Sequence, residues 1–165
     1  MLLALRLEPA GVPTASDMIM TYFLRLASLI FVALALVPAG SHLFSLMSKM
    51  RLDRDAYLEA QRAYDGWSLF GIVVVGALLS TLALIVALHR TGEPPFLSLL
   101  AFLCIVATQV IFWIYTFPAN RATSNWTTPP DNWTVLRATW EYSHAASAAL
   151  TFIAFLSLIV TSVRT

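Results

Sequence analysis

The chain has 165 residues, of which 59% are hydrophobic and only 12% are charged, and its formal net charge is +1. Soluble domains contain roughly 45–50% apolar and about 25% charged residues, so this chain has too little polar surface to cover a soluble fold. The near-neutral charge excludes the basic field of a nucleic-acid-binding protein. A single cysteine, Cys104, excludes an intrachain disulfide and a multi-cysteine metal site. The composition therefore indicates an integral membrane protein.

Four stretches are long and apolar enough to cross a bilayer, since a spanning helix needs about 20 mostly apolar residues. We predict spans at 17–41, 67–88, 96–117 and 132–163, and the last of these includes a helical extension that precedes the membrane. None of the four shows the strict alternation of a membrane strand. The predicted fold class is all-α, a four-helix transmembrane bundle over residues 17–165.

The remaining segments are short. Residues 1–16 contain two prolines and a glycine and are predicted to form a mobile N-terminal tail. The first loop, 42–65, carries most of the charges and fits a short helix at the membrane interface. The second loop, 89–95, is a tight Gly-Pro turn, and the third, 118–131, ends in an N-cap aspartate. Arg25 lies inside the first apolar run, and we expect it to extend towards the headgroups.

The tryptophans gather towards one end of the predicted bundle. They are Trp67, Trp113, Trp126, Trp133 and Trp140. Because the spans alternate in direction, all five lie towards the same membrane face, and His42 and His144 lie there too. An aromatic belt that only anchors the protein would populate both interfaces. The asymmetry favours a binding site at this mouth of the bundle, with a belt as the alternative.

The helix entering the fourth span carries the sharpest pattern. At about 100° per residue, one stripe contains Trp133, Arg137, Trp140, Glu141 and His144. The spacings allow Glu141 to touch both Arg137 and His144. We predict His144 as a catalytic base, Glu141 as the group that raises its basicity, and Arg137 as the partner of a developing anion. The alternative is an Arg–Glu–His network that only ties helices together.

A second stripe on the third span runs to the same face through Gln109, Trp113, Thr116 and Asn120. We predict that the two stripes face each other across a Trp-lined polar cavity that suits a planar aromatic or quinone-like ligand. The predicted substrate-binding residues are Asn120, Trp113, Gln109, Trp126, Trp133, Trp140 and His42. As an alternative, His42, Glu141 and His144 fit a single metal ion or a haem.

Residues 117–144 resemble the anthrone oxygenase-like family of small four-span membrane proteins. The residues that carry the resemblance are Pro118, Asn120, Trp126, Trp133, Arg137, Trp140 and His144. The motif covers about the C-terminal third of the chain. The resemblance implies a four-helix bundle with a cavity near the third loop. For the characterised branch of the family, it implies a monooxygenase that converts an anthrone to an anthraquinone with O₂ and without metal or flavin.

The sequence also gives predictions about the partners of the protein and its orientation in the membrane. A Trp-rich face also suits an accessory or scaffold subunit of a larger membrane complex, or a homo-oligomer in membrane lipid. The mouth side carries six positive residues and the opposite side four, which by the positive-inside rule places the mouth in the cytoplasm. We therefore predict a multi-pass protein of a plasma or inner membrane with a cytoplasmic mouth.

Overall fold

The computed structural model describes residues 13–164, and this part of the chain is helical without any strand. The helices are α1 (Ala15–Lys49), α2 (Arg54–Gln61), α3 (Phe70–Arg90), α4 (Phe96–Ile111), α5 (Phe117–Ala122) and α6 (Trp133–Val163). Two short 3₁₀ turns lead into α3, and a π turn over Phe112–Thr116 joins α4 to α5. Four segments are long and apolar enough to cross a membrane. The predicted all-α four-helix bundle is therefore confirmed.

The first helix is longer than the span predicted for it. A capping box starts it, because Thr14 accepts a hydrogen bond from the Asp17 N–H and Asp17 accepts one from the Thr14 N–H. The helix continues through Pro38 to Lys49, beyond the predicted end at residue 41. At 1.5 Å per residue its length is about 52 Å, whereas the hydrocarbon core is about 30 Å thick. Of the predicted tail 1–16, residues 1–12 lie outside the described residues.

The bundle core lies between the four spans, where α1 packs against α3 and α6, and α4 packs against α6 and α3. Its central residues are Val32, Ala77, Leu84, Leu88, Ala101, Cys104, Ile105, Ala154 and Leu158. Along α6, small buried residues such as Ala148, Thr151 and Ala154 face the neighbouring helices. Small side chains let membrane helices approach closely. The centre of the bundle is therefore a packed apolar layer that separates its two polar ends.

Arg25 is satisfied by protein groups at the end of the bundle opposite the Trp-rich mouth, a partner set that the sequence did not indicate. The side chain is buried, pairs with the Glu93 carboxylate, and donates a hydrogen bond to the Thr161 carbonyl. Glu93 belongs to the turn between α3 and α4, and this turn meets α1 at Arg25. Because this turn supplies a carboxylate, the guanidinium is satisfied inside the protein at the end opposite the Trp-rich mouth.

Gly76 marks a close approach between α3 and α1. A Cβ built on this residue would lie 2.5 Å from the Phe31 ring, whereas a Cβ on Gly71 meets nothing within 4 Å. We expect Gly76→Ala to lower the free energy of unfolding by about 1–3 kcal/mol, since overpacking displaces Phe31. The matched variant Gly71→Ala gains helix propensity and stays neutral or stabilising. Unfolding of both variants by detergent titration tests this, and equal stability would contradict it.

Candidate functional site

Polar side chains from three elements meet at the Trp-rich mouth of the bundle. We call them the polar cluster, and its members are His42, Lys49, Tyr57, Gln61, Glu141 and His144. His42 and Lys49 come from the last turns of α1, Tyr57 and Gln61 from α2, and Glu141 and His144 from α6. The chain brings them together because α1 and α6 pack side by side and α2 folds over their ends.

A buried ion pair forms the centre of the cluster. The Lys49 ammonium lies 2.8 Å from Oε1 of Glu141, and the two residues are 4% and 1% exposed. The ammonium also lies 4.8 Å from the centre of the Tyr64 ring and 5.0 Å from that of Trp140, so aromatic faces supply cation–π attraction. Within the described residues, Oε2 of Glu141 has no hydrogen-bond partner. The carboxylate therefore keeps one acceptor oxygen for a further group.

The helix α2 contributes two buried side chains to the cluster, Tyr57 and Gln61. Asp53 caps the helix by accepting a hydrogen bond of 2.9 Å from the Ala56 N–H. One turn later the Tyr57 hydroxyl donates to Oε1 of Glu141 at 3.0 Å and accepts from the Gln61 amide. Burial, and then the neighbouring Glu141 carboxylate, raise the pKa of Tyr57 above its ordinary value. The hydroxyl is therefore held as a protonated donor.

The two histidines of the mouth stack on each other. Their ring centres are 4.1 Å apart at an interplanar angle of 29°, and the Trp140 ring lies 4.9 Å from His42 and 4.2 Å from His144. Nδ1 of His42 and Nε2 of His144 are buried, and neither has a hydrogen-bond partner in the part of the chain that the structure describes. A neutral imidazole offers one acceptor nitrogen, so the pair has acceptor capacity that no described residue uses.

Two hydrogen bonds join the third span to α6 near the histidines, one at Asn120 of α5 and one at Thr116 of the π turn. The Trp140 indole donates a hydrogen bond of 2.7 Å to Oδ1 of Asn120, and the Thr116 and Ser143 hydroxyls are 2.8 Å apart. The π turn brings Thr116 onto the buried side of its helix. Single π turns inside α-helices occur frequently at functional sites. Asn120 therefore orients the tryptophan that contacts both histidines.

Trp126 closes the cluster from the third loop. Its side chain is buried, and its ring centre lies 5.1 Å from that of Tyr57 and 6.0 Å from that of Trp140. The Thr123 hydroxyl accepts a hydrogen bond from the Trp126 backbone N–H, which turns the chain inward. Trp133, at the start of α6, lies 6.1 Å from Tyr57 on another side. The Tyr57 ring thus contacts two tryptophans.

The turn that carries Trp126 has an uncommon backbone. Ser124, Asn125 and Trp126 have φ values of 48°, 55° and 64°, in the left-handed region that costs roughly 1–2 kcal/mol for each residue with a Cβ. Two arginines hold this loop to α2: Arg62 donates to the Asn125 carbonyl at 2.9 Å and Arg54 to the Pro129 carbonyl at 3.0 Å. The strain is therefore compensated by contacts between α2 and the third loop.

Arg137 does not take the place predicted for an anion partner. Its guanidinium donates to the Leu52 carbonyl at 2.8 Å and lies over the rings of Trp133, at 4.7 Å, and Tyr57, at 5.4 Å. These contacts hold it on the outer side of Tyr57. The cation paired with Glu141 is Lys49 instead, a residue that the sequence interpretation placed in a charged loop.

Trp113 and Gln109 do not join the cluster. Trp113 is 61% exposed on the outer surface, where it packs against Phe112 and Phe117. The Gln109 amide donates to the neighbouring Thr108 hydroxyl within its own helix. The predicted stripe assumed a regular 100° per residue, but the π turn over 112–116 contains an extra residue and changes that rotation. The buried side of this helix consequently passes through Thr116 and Asn120 and leaves Trp113 facing lipid.

The aromatic rings fill the space in which the sequence predicted a cavity. The rings of His42, His144 and Trp140 are in contact, and two grooves of about 330 Å³ lie outside them. The first is lined by Phe117, Pro118, Arg121 and Ala122. The second lies between α2 and the third loop and is lined by Asp55, Leu58, Glu59, Arg62, Trp126 and Thr127. A ligand of the polar cluster must therefore displace side chains that now occupy its place.

Lys49, Tyr57 and Gln61 are the three members of the cluster that sequence reasoning missed. Lys49 follows His42 by seven residues, which is two helical turns, so the two share a face once α1 is continued beyond residue 41. Tyr57 and Gln61 are spaced i, i+4 on one face of α2. Both spacings were visible in the sequence, but neither indicates which helix the residues would meet.

The arrangement combines two histidines with unpaired nitrogens, a buried cation and a carboxylate with one unpaired oxygen. Among residues 13–164, no three His, Cys, Asp or Glu side chains are grouped to hold a metal ion, and Glu141 is turned towards Lys49 and Tyr57. No family model, curated protein or solved structure matches the chain. The chemistry of the clustered side chains is therefore the feature of the molecule that points to a function.

Proposed function

We propose that this membrane protein binds a planar aromatic molecule at the polar cluster and oxidises it with O₂ without a metal or organic cofactor. The observation that carries the proposal is the stacked pair of His42 and His144, whose buried nitrogens have no partner among the described residues, packed on the Trp140 ring that the Lys49 ammonium also contacts. A base and a positive charge in one apolar enclosure are what the formation of a stabilised carbanion requires.

The substrate class is an aromatic ketone with an acidic methylene group, as in an anthrone. His144 accepts a proton from the methylene, and Lys49 stabilises the negative charge on the ketone oxygen of the resulting enolate. The carbanion adds O₂ to give a peroxide anion, which takes the proton back from His144; the hydroperoxide then loses its remaining C–H proton and hydroxide as water, and the O–O bond breaks to leave a second carbonyl group. One molecule of O₂ is consumed for each quinone and each water formed. The resemblance of residues 117–144 to the anthrone oxygenase-like family supports the same substrate class.

The location of the cluster suits a substrate that is dissolved in lipid. Glu141 lies twenty residues before Thr161 in α6, which is about 30 Å along the helix and matches the hydrocarbon thickness. Since Thr161 binds Arg25 at the opposite end, the cluster lies at the level of the headgroups on its own side. An aromatic molecule dissolved in the bilayer therefore has access to the mouth from the lipid side.

Turnover of an anthrone tests the proposal directly. We expect purified protein in lipid nanodiscs to accelerate oxidation of an anthrone in air over empty nanodiscs, with O₂ uptake equal to quinone formed. The activity should survive prolonged treatment with a metal chelator, and the protein should be colourless. A rate equal to that of empty nanodiscs would contradict the proposal. An activity that is lost with chelation or accompanied by a haem spectrum would favour the metal or haem alternative.

A further inference from the structure

The short helix α2 covers the polar cluster with a single aromatic side chain. Its eight residues lie on the outer surface of the bundle, and only Tyr57 and Gln61 are buried. The Tyr57 side chain is fully buried, its ring contacts Trp126 and Trp133, and its hydroxyl reaches Glu141. A surface helix thus places a phenol group at the centre of the site.

The attachment of α2 is made of a small number of side-chain contacts. Apart from the Tyr57 hydrogen bonds, Arg54 and Arg62 join this region to carbonyl groups of the third loop. A helix of eight residues is far below the length that is stable in isolation. It remains in place because of those contacts, and loss of the Tyr57 contact with Glu141 removes the most buried of them.

We propose that Tyr57 is an internal substitute for a phenolic ligand, which displaces it and takes over its hydrogen bond to Glu141. The proposal rests on the proposed function in one respect, namely that an aromatic molecule binds at this mouth. The slot that Tyr57 occupies already has the walls that such a ligand needs, because two indole rings flank it. At its end lie the Glu141 carboxylate, with Oε2 unpaired among the described residues, and the Lys49 ammonium.

The hydroxyl of the ligand is the feature that this slot selects. A ligand without a hydroxyl fills the same aromatic walls but leaves the buried Glu141 oxygen without the donor that Tyr57 supplied. A site built to hydrogen-bond a hydroxyl rejects the analogue that lacks it, because its buried polar group is left unpaired. The slot is therefore expected to bind a phenol at least about tenfold more tightly than the matching hydrocarbon.

Binding of 4-methylphenol, which is the Tyr side chain capped by hydrogen, tests the proposal against toluene as the matched ligand without a hydroxyl. Both are titrated into the full chain in lipid nanodiscs, with empty nanodiscs as the blank. We expect Tyr57→Phe to bind 4-methylphenol about tenfold more tightly than the unmodified protein, because the internal competitor has lost its hydrogen bond. Tyr142→Phe, which removes an exposed hydroxyl of α6, serves as the matched control and leaves the affinity unchanged.

Hydrogen exchange of the α2 amides distinguishes a Tyr57 that the ligand displaces from one that has only a structural role. Saturating 4-methylphenol should speed exchange of the α2 amides, since the helix leaves its place, whereas toluene should not. The proposal would be overturned if 4-methylphenol did not bind, or if it bound no more tightly than toluene. It would also be overturned if Tyr57→Phe had the same affinity for 4-methylphenol as the unmodified protein, or if α2 exchange did not change. The anthrone assay on the same preparations separates the two ideas. Turnover without these binding effects overturns the Tyr57 proposal alone, and binding effects without turnover overturn only the oxidation.

Discussion

Replacement of His144 by alanine is expected to lower the rate of anthrone oxidation by about 10²- to 10⁴-fold, the usual contribution of a positioned general base. The effect follows from the position of His144 in the cluster, where its buried Nε2 has no partner among the described side chains. Initial rates of quinone formation and O₂ uptake in lipid nanodiscs measure it. The loss should appear in the maximal rate, because the variant keeps the aromatic walls of the site.

The third histidine provides the control for this experiment. His89 is exposed at the end of α3 on the opposite side of the bundle, so His89→Ala should oxidise the substrate at the unmodified rate. Near-ultraviolet circular dichroism of the tryptophans reports whether His144→Ala keeps its packing. If a correctly packed His144→Ala protein oxidised the anthrone at an undiminished rate, His144 would not be the base.

Separation of the Lys49–Glu141 pair is expected to give the largest loss of stability. Glu141→Leu leaves the buried Lys49 charge without a counter-ion, and Lys49→Met leaves the carboxylate without its cation. Removing one member of a buried pair costs about 3–5 kcal/mol, whereas replacing both by apolar groups is often nearly neutral. We therefore expect each single variant to lose about that much and the double variant to recover most of it. Unfolding by detergent titration measures all three.

An exposed ion pair in the same loop region is the natural comparison. Arg62 and Asp65 are 3.6 Å apart, and the Asp65 side chain is 64% exposed. Exposed pairs contribute roughly 0–1 kcal/mol, so Asp65→Asn should leave the free energy of unfolding almost unchanged. Losses in the Lys49→Met and Glu141→Leu variants that simply add in the double variant would show that the two residues stabilise the bundle independently.

The fold and one wall of the site could be predicted because each depends on a local pattern. Apolar runs of about 20 residues identify four spans without any knowledge of their contacts. The spacing of Trp133, Trp140 and His144 places them on one side of α6, and the structure does bring Trp140 and His144 into ring contact. Periodicity is sufficient where the helix is regular and the partner is the bundle interior.

The rest of the site depends on contacts between distant parts of the chain. Lys49 belongs to a charged stretch and becomes a buried cation only because α1 continues until it meets Glu141, 92 positions later. Trp113 lies on the outer surface because the local rotation of its helix changes at a π turn. The filled mouth could not be foreseen either, since it results from Tyr57 and Trp126 reaching inward from two separate elements.

The two ion pairs at the ends of the bundle, one buried and one partly exposed, also indicate the thickness of membrane that this protein fits. Arg25 with Glu93 at one end, and Lys49 with Glu141 at the other, bound a stretch of α6 that matches an ordinary hydrocarbon core of about 30 Å. Neither pair can move along the bundle, because each joins different elements. In a thinner bilayer the apolar faces between the pairs would meet water, and in a thicker one the charges would meet lipid. Hydrophobic mismatch of this kind sorts proteins among membranes of different thickness, so these ion pairs are expected to influence the membrane in which the protein resides.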